Sequence, residues 1–174
     1  MADGGYNGRK EKDDNLALAL AVGEILSDSG VEVGFTRVED VYQSPVDKAR
    51  NANRQDGDFL VSIHRNSSTS PSATGVEMWV HSSNPTDDNL LAQNILDCFD
   101  TLEIMKNRGI YTGYRDGKDM NYYINRNTKM PSVLAEIGFI SSKDDNKKYD
   151  ENIEKYAKAI ADGIEMTLKE MNGE

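Results

Sequence analysis

The chain has 174 residues, the size of one compact domain, with 37% apolar and 29% charged residues. That is enough patterned apolar sequence for a core and too much for a disordered chain. Lys plus Arg total 20 against 30 Asp plus Glu, a net charge of −10, which argues against a general nucleic-acid binder and against adhesion to anionic membranes. The single cysteine, Cys98, rules out an intramolecular disulfide and a Cys-rich zinc knuckle. No apolar run approaches the ~20 residues of a membrane span, and the polar, Gly-rich Met1–Asp14 does not read as a signal peptide.

In chain order, residues 1–13 read as a polar loop. A helix is predicted over Asn15–Ser29, because Leu18, Val22, Ile25 and Leu26 share one face of a 3.6-residue period, and Gly30 suits its C-terminal end. Val31–Thr36 reads as a strand. Pro45–Gln55 reads as a short helix with Ser44 as N-cap and Pro45 in its first turn. Asp58–His64 is a strand with apolar residues on both faces, as a buried parallel strand requires. Gly75–Val80 is another strand. A helix capped by Thr86 carries Leu91, Ile95, Cys98 and Leu102 along one stripe. Gly109–Asp119 reads as loop, Asn121–Asn125 as a short strand, Ser132–Ile137 as a second buried strand, and Asp150–Met171 as the last helix. Alternating strands and helices predict a single α/β domain with a mostly parallel twisted sheet and helices on both faces. Sites in such folds gather at the carboxyl ends of strands.

Two residues stand at such ends. His64 closes a buried strand, where an imidazole is either a satisfied structural histidine or a metal ligand. Glu136 lies inside Val133-Leu134-Ala135-Glu136-Ile137-Gly138-Phe139. A carboxylate there faces water from an edge strand, or it is buried, with a pKa raised toward the range of a general base. Glu11 sits in a charge run whose plain reading is a solvated helix start favoured by the dipole. His81 reads as a surface-loop residue, Cys98 as core, Glu77 as the polar side of its strand, and Arg108 as a turn or a ligand-contacting loop.

Six segments carry a family resemblance when taken in order: GRKEKDDNL (8–16), TR (36–37), DFLVSIHRNSS (58–68), GVEMW (75–79), NRGI (107–110) and MPSVLAEIGFIS (130–141). Together they resemble the catalytic domain of zinc-dependent N-acetylmuramoyl-L-alanine amidases, over nearly the whole chain. These enzymes cut the amide bond between the muramic acid lactyl group and L-alanine in peptidoglycan. The resemblance implies a zinc cofactor, with Glu11 and His64 as metal ligands and Glu136 as catalytic base. It places Asn66, Glu77 and Arg108 along the substrate cleft. Peptidoglycan is the implied partner, met at the cell wall as a secreted enzyme or a phage lysin, with no nucleic acid and no membrane insertion. The oligomeric state is left open.

The family pattern opens with an apolar strand ending in Gly-His-Gly, whose histidine is the first zinc ligand. Asp3 and Gly5 match the tail of that motif, so the resemblance implies a chain truncated at its N-terminus relative to the family. It also implies weak or absent zinc affinity and a sheet prone to destabilisation or dimerisation. Two alternatives differ in class: an inactive peptidoglycan-binding or regulatory module with the same fold, and an unrelated α/β metallohydrolase.

Overall fold

Residues 8–70, 72–115 and 120–173 are described by a computed structural model. The chain forms α1 (Glu11–Asp28), α2 (Pro45–Gln55), β1 (Leu60–Asn66), β2 (Val76–Val80), α3 (Thr86–Asp100), β3 (Asn107–Thr112), α4 (Tyr123–Asn127), β4 (Ser132–Phe139) and α5 (Lys143–Asn172). The strands make one sheet of order β1–β4–β2–β3. The β1–β4 and β2–β3 ladders are parallel and the β2–β4 ladder is antiparallel. The architecture is the expected α/β domain with a mostly parallel sheet.

Period-two alternation divides the work between the two sheet faces. Val133, Ala135 and Ile137 of β4 join Val76, Met78 and Val80 of β2 in one apolar face, which packs on Leu18, Val22 and Leu26 of α1, Leu91 and Ile95 of α3, and Tyr156 and Ile160 of α5. Leu134 and Glu136 alternate onto the opposite face, beside His64, Glu77 and Trp79. There α4 covers part of β4 and carries α2 against it. Asn125 of α4 donates to the Trp79 carbonyl at 2.8 Å and accepts from Ser132 Oγ at 3.4 Å. The polar groups thus collect on the face that the three large helices leave open.

Several element assignments differ from the sequence reading. Val31–Thr36 is not a strand: no ladder partner lies beside it among the described residues. A cavity of about 610 Å³, lined by Val33, Phe35, Val61, Ile63, Leu26 and Ile164 among others, lies there instead. The 121–125 strand is replaced by α4, whose turn is closed by Asn127 Nδ2 donating to the Tyr123 carbonyl and Thr128 Oγ1 to that of Ile124. The 109–119 loop begins as strand β3. Gly109, at φ +94°, falls where the β2–β3 register shifts between Val76 and Met78, so a turn-like glycine marks a strand irregularity. Helix α1 starts earlier than expected, at Glu11, with three acidic residues in its first turn. Helix α5 likewise starts earlier, because Ser142 Oγ accepts from the Asp145 amide and Asn152 breaks helical geometry without ending the helix. Pro45–Gln55 has the predicted bounds and Ser44 caps it, accepting from the Asp47 amide at 3.2 Å. Thr86 is the first helical residue, not the cap.

One loop junction fixes the exit of β4. Asp145 is fully buried. Its carboxylate accepts from the Phe139 amide at 2.7 Å, the Gly75 amide at 3.1 Å and the Thr74 hydroxyl. Gly138 has φ +74°, and a Cβ there would lie 2.7 Å from Met105 Cε and against Asp145, so glycine is required.

Candidate active site

The sheet register sets a row of three side chains across the open face. His64 of β1 lies opposite Glu136 of β4, and Glu136 lies opposite Glu77 of β2. Glu11, at the start of α1, completes the group from above β1: His64 Nδ1–H donates to Glu11 Oε1 at 2.7 Å. The same oxygen accepts from Asn15 Nδ2 at 3.2 Å and the Arg65 amide at 3.3 Å. Burial opposes the charge on Glu11, but the His64 hydrogen bond and charge, with Asn15 and the Arg65 amide, prevail. Its carboxyl is held below the usual carboxylate range.

The placement of Glu11 depends on Arg65, whose side chain is inaccessible to solvent. Its guanidinium donates to Asp14 Oδ2 of α1 at 2.5 Å and Asn146 Oδ1 of α5 at 2.7 Å. It also lies 4.2 Å from the Tyr149 ring centroid. Arg9 adds a second clamp, reaching Asp14 and Asp150 at 2.7 Å each. The first turn of α1 is thereby tied to β1 and to the start of α5.

Glu77 is 3% exposed and fully engaged. Oε1 accepts from Asn66 Nδ2 at 2.6 Å and Trp79 Nε1 at 3.0 Å, and Oε2 accepts from Arg108 Nε at 2.6 Å. Arg108 also lies 5.0 Å from the Phe139 ring centroid. Asn66 passes the order onward, its Oδ1 accepting from the Ser67 amide at 2.7 Å and from the Arg115 guanidinium. Arg115 further donates to the Ser67 carbonyl at 3.0 Å.

Glu136 is the opposite case. It is 6% exposed, yet among the described residues Oε2 has no hydrogen-bond partner and the cation nearest Oε1 is Arg115 at 3.9 Å. Burial pushes its carboxyl up to about 7, with Glu11 and Glu77 acting in the same direction and His64 and Arg115 against it. A buried, half-unsatisfied carboxyl with a pKa near neutrality is equipped to take up and release a proton.

All six residues singled out from the sequence therefore meet in one place: Glu11, His64 and Glu136 directly, with Asn66, Glu77 and Arg108 as one hydrogen-bonded group beside them. His81 pairs instead with Ser83 Oγ at 2.8 Å on an exposed loop, and Cys98 lies beside Met166. Asp3 and Gly5 lie outside the described residues. Sequence reading missed Arg115, Trp79 and Lys48. Lys48 is desolvated near Glu11, and burial lowers its ammonium pKa. A predicted loop hid Arg115, and a predicted short helix hid Lys48. The one available signal was Trp79, which follows Glu77 at the two-residue spacing of a shared strand face.

Imidazole nitrogen and carboxylate oxygen are donors that zinc accepts. Glu11 and His64 supply two such donors, on a helix terminus and a strand with a carboxyl opposite, one fewer than the three protein ligands usual at a catalytic zinc. Among the described residues no cluster of three His, Cys, Asp or Glu converges as metal donors.

Fold and site together define an α/β domain with a cluster of carboxyl and imidazole groups on its open sheet face. The chain belongs to the N-acetylmuramoyl-L-alanine amidase family, which it matches over residues 2–166. It is 32% identical to YqiI of Bacillus subtilis, spanning 91% of this chain and 75% of that protein. It is 32% identical to the endolysin of Bacillus phage SPP1, spanning 96% of this chain and 62% of the endolysin. With the Staphylococcus epidermidis probable cell wall amidase LytH, the match spans 48% of the relative. Among solved structures, an N-acetylmuramoyl-L-alanine amidase from Clostridium difficile 630 superimposes with a TM-score of 0.84 at 30% identity, over 94% of this chain and 86% of that one. The catalytic domain of CwlV from Bacillus (Paenibacillus) polymyxa var. colistinus gives 0.83 at 31% identity, over 97% and 90%. No helix among the described residues is long and apolar enough to cross a membrane.

Proposed function

We propose that this chain hydrolyses the amide between the lactyl group of N-acetylmuramic acid and L-alanine of the peptidoglycan stem, with zinc as cofactor. The observation that carries this reading is the buried Glu136, with Oε2 unpartnered and a carboxyl raised to about 7, in register with His64, which bonds Glu11. Glu11 and His64 would hold the metal. Zinc bound there would polarise the scissile carbonyl and acidify a water molecule. Glu136 takes the proton of the attacking water and delivers it to the L-alanine nitrogen as the C–N bond breaks. Its unpartnered oxygen is available for that proton. Glu77, saturated by Asn66, Trp79 and Arg108, has no such freedom. It orders Asn66 and, through it, Arg115 at the edge of the cleft. The setting is the bacterial cell wall, reached by secretion or as a phage lysin, consistent with the names of the relatives.

The experiment is cleavage of muropeptides by the protein over a zinc series that reaches saturation, as the weak affinity of two protein donors requires, read as a new L-alanine amino terminus. Glu136→Gln is expected to lower kcat by about 10²–10⁴ with unchanged circular dichroism, and chelation followed by zinc is expected to remove and restore activity. Wild-type turnover in Glu136→Gln, or no new L-alanine terminus from the wild type, would overturn the reading and favour a binding module.

A further inference from the structure

An aromatic platform continues the site along the same sheet face. Trp79 follows Glu77 by two residues, about 7 Å along β2, and donates its Nε1–H to Glu77. Tyr111, its partner in the β2–β3 register, stacks on it with centroids 5.0 Å apart and planes at 23°. Tyr122 meets Trp79 edge-on at 5.5 Å, and Tyr114 lies 4.7 Å from Tyr122. Trp79 is buried, Tyr111 is 37% exposed, and Tyr114 and Tyr122 are half-buried. Polar groups rim the rings. Arg115 borders Tyr114 and bonds Asn66 and Ser67, while Asn121 bonds the Ser82 amide and hydroxyl at 2.6 and 2.9 Å.

We propose that Tyr111, Tyr114 and Tyr122, seated on Trp79, form a saccharide subsite that takes a pyranose ring of the glycan strand. A pyranose offers C–H faces between hydroxyl groups. The C–H faces suit the electron-rich faces of aromatic rings, and the hydroxyls suit a rim of amide and guanidinium donors. The spacing agrees, since a lactyl linker is short and the platform begins one two-residue step from the Glu136–Glu77 pair. The proposal rests on the amidase reading for the identity of the sugar, because it is the muramoyl side of the scissile bond that carries one.

Trp79 is the sole tryptophan of the chain, so its emission reports on the platform directly. The test is a fluorescence titration of the full chain with peptide-free oligosaccharide of alternating N-acetylglucosamine and N-acetylmuramic acid, beside muropeptide cleavage by the same preparations. A saturable change in Trp79 emission is expected. Tyr111→Ala and Tyr114→Ala should each weaken binding by about tenfold, and Tyr111→Phe should bind within about threefold of wild type. Should an alanine variant fail to fold, Tyr111→Leu and Tyr114→Leu keep the bulk without the ring and are expected to show the same loss. No saturable change in wild type, or undiminished binding by the folded ring-less variants, overturns the proposal. Amide cleavage without glycan binding defeats the subsite alone. Glycan binding without cleavage defeats the amidase reading and leaves the saccharide subsite standing.

Discussion

Glu136 and Glu77 face each other across one ladder, both nearly inaccessible to solvent, and differ in what surrounds them. Three donors saturate Glu77, while among the described residues Glu136 has an oxygen with none. Burial raises the Glu136 carboxyl from 4.5 to about 7, so the folded protein holds that proton more tightly than the unfolded chain. Between those values the native state is protonated where the unfolded chain is not, so metal-free protein loses stability as pH rises from about 4.5 to about 7. The full shift corresponds to roughly 3 kcal/mol. Urea unfolding at about pH 5 and about pH 7.5 is expected to show this decline in wild type and a flatter response in Glu136→Gln. An equal decline in both would place its origin elsewhere. At this scale the sequence was informative where chemistry is costly: a carboxylate in Val133–Phe139 demands an explanation wherever the strand lies. It was silent on Arg115, since nothing local to Tyr114-Arg115 points toward Asn66 some fifty residues earlier.

Among the elements, α1 is the one whose position the site most needs, because Glu11 occupies its first turn. Arg65 holds that turn through Asp14 and holds α5 through Asn146. Arg65→Met leaves the Asp14 carboxylate without its inaccessible partner. With Arg9 still bonded to Asp14, it is expected to destabilise by about 1.5–3 kcal/mol, measured by urea denaturation, and to lower zinc affinity beyond what Asp14→Asn does. Unchanged zinc affinity in a folded Arg65→Met protein would show that Glu11 is placed without this clamp. Elements with strong local signals were legible in the sequence. The Ser44–Pro45 start of α2 and the apolar runs of β1 and β4 lie where pattern and capping put them. The misread elements depend on partners. Residues 31–36 have strand-like composition but no adjacent backbone among the described residues, and β3 carries a glycine that reads as a turn until β2 pairs with it. Whether an extended segment becomes a strand is decided by its neighbour, which no local window contains.

For the whole molecule, the charge of −10 acts against its proposed substrate, because bacterial walls often carry anionic polymers. Like-charge repulsion slows encounter and is screened over about 10 Å at 0.1 M salt. Digestion of intact walls is therefore expected to accelerate as ionic strength rises from about 0.01 to about 0.15 M, while cleavage of small soluble muropeptides changes little. Parallel salt dependence on both substrates would locate the effect in the active site instead. The acidic composition argues against nucleic acid, but it carries no information about which face binds. That follows from the alternation that sends the apolar residues of β4 to one side and Glu136 to the other.

The position of β4 also sets an order of assembly. It lies between β1 and β2, so His64, Glu136 and Glu77 have no common frame until a strand some seventy residues after β1 is in place. Such non-local pairing is slow, because loop closure precedes any gain from contact. A ribosome extending this chain leaves the apolar edge of β1 waiting until residue 139 emerges. The row of His64, Glu136 and Glu77 is then among the last features to form, and the same event that completes the sheet brings it together.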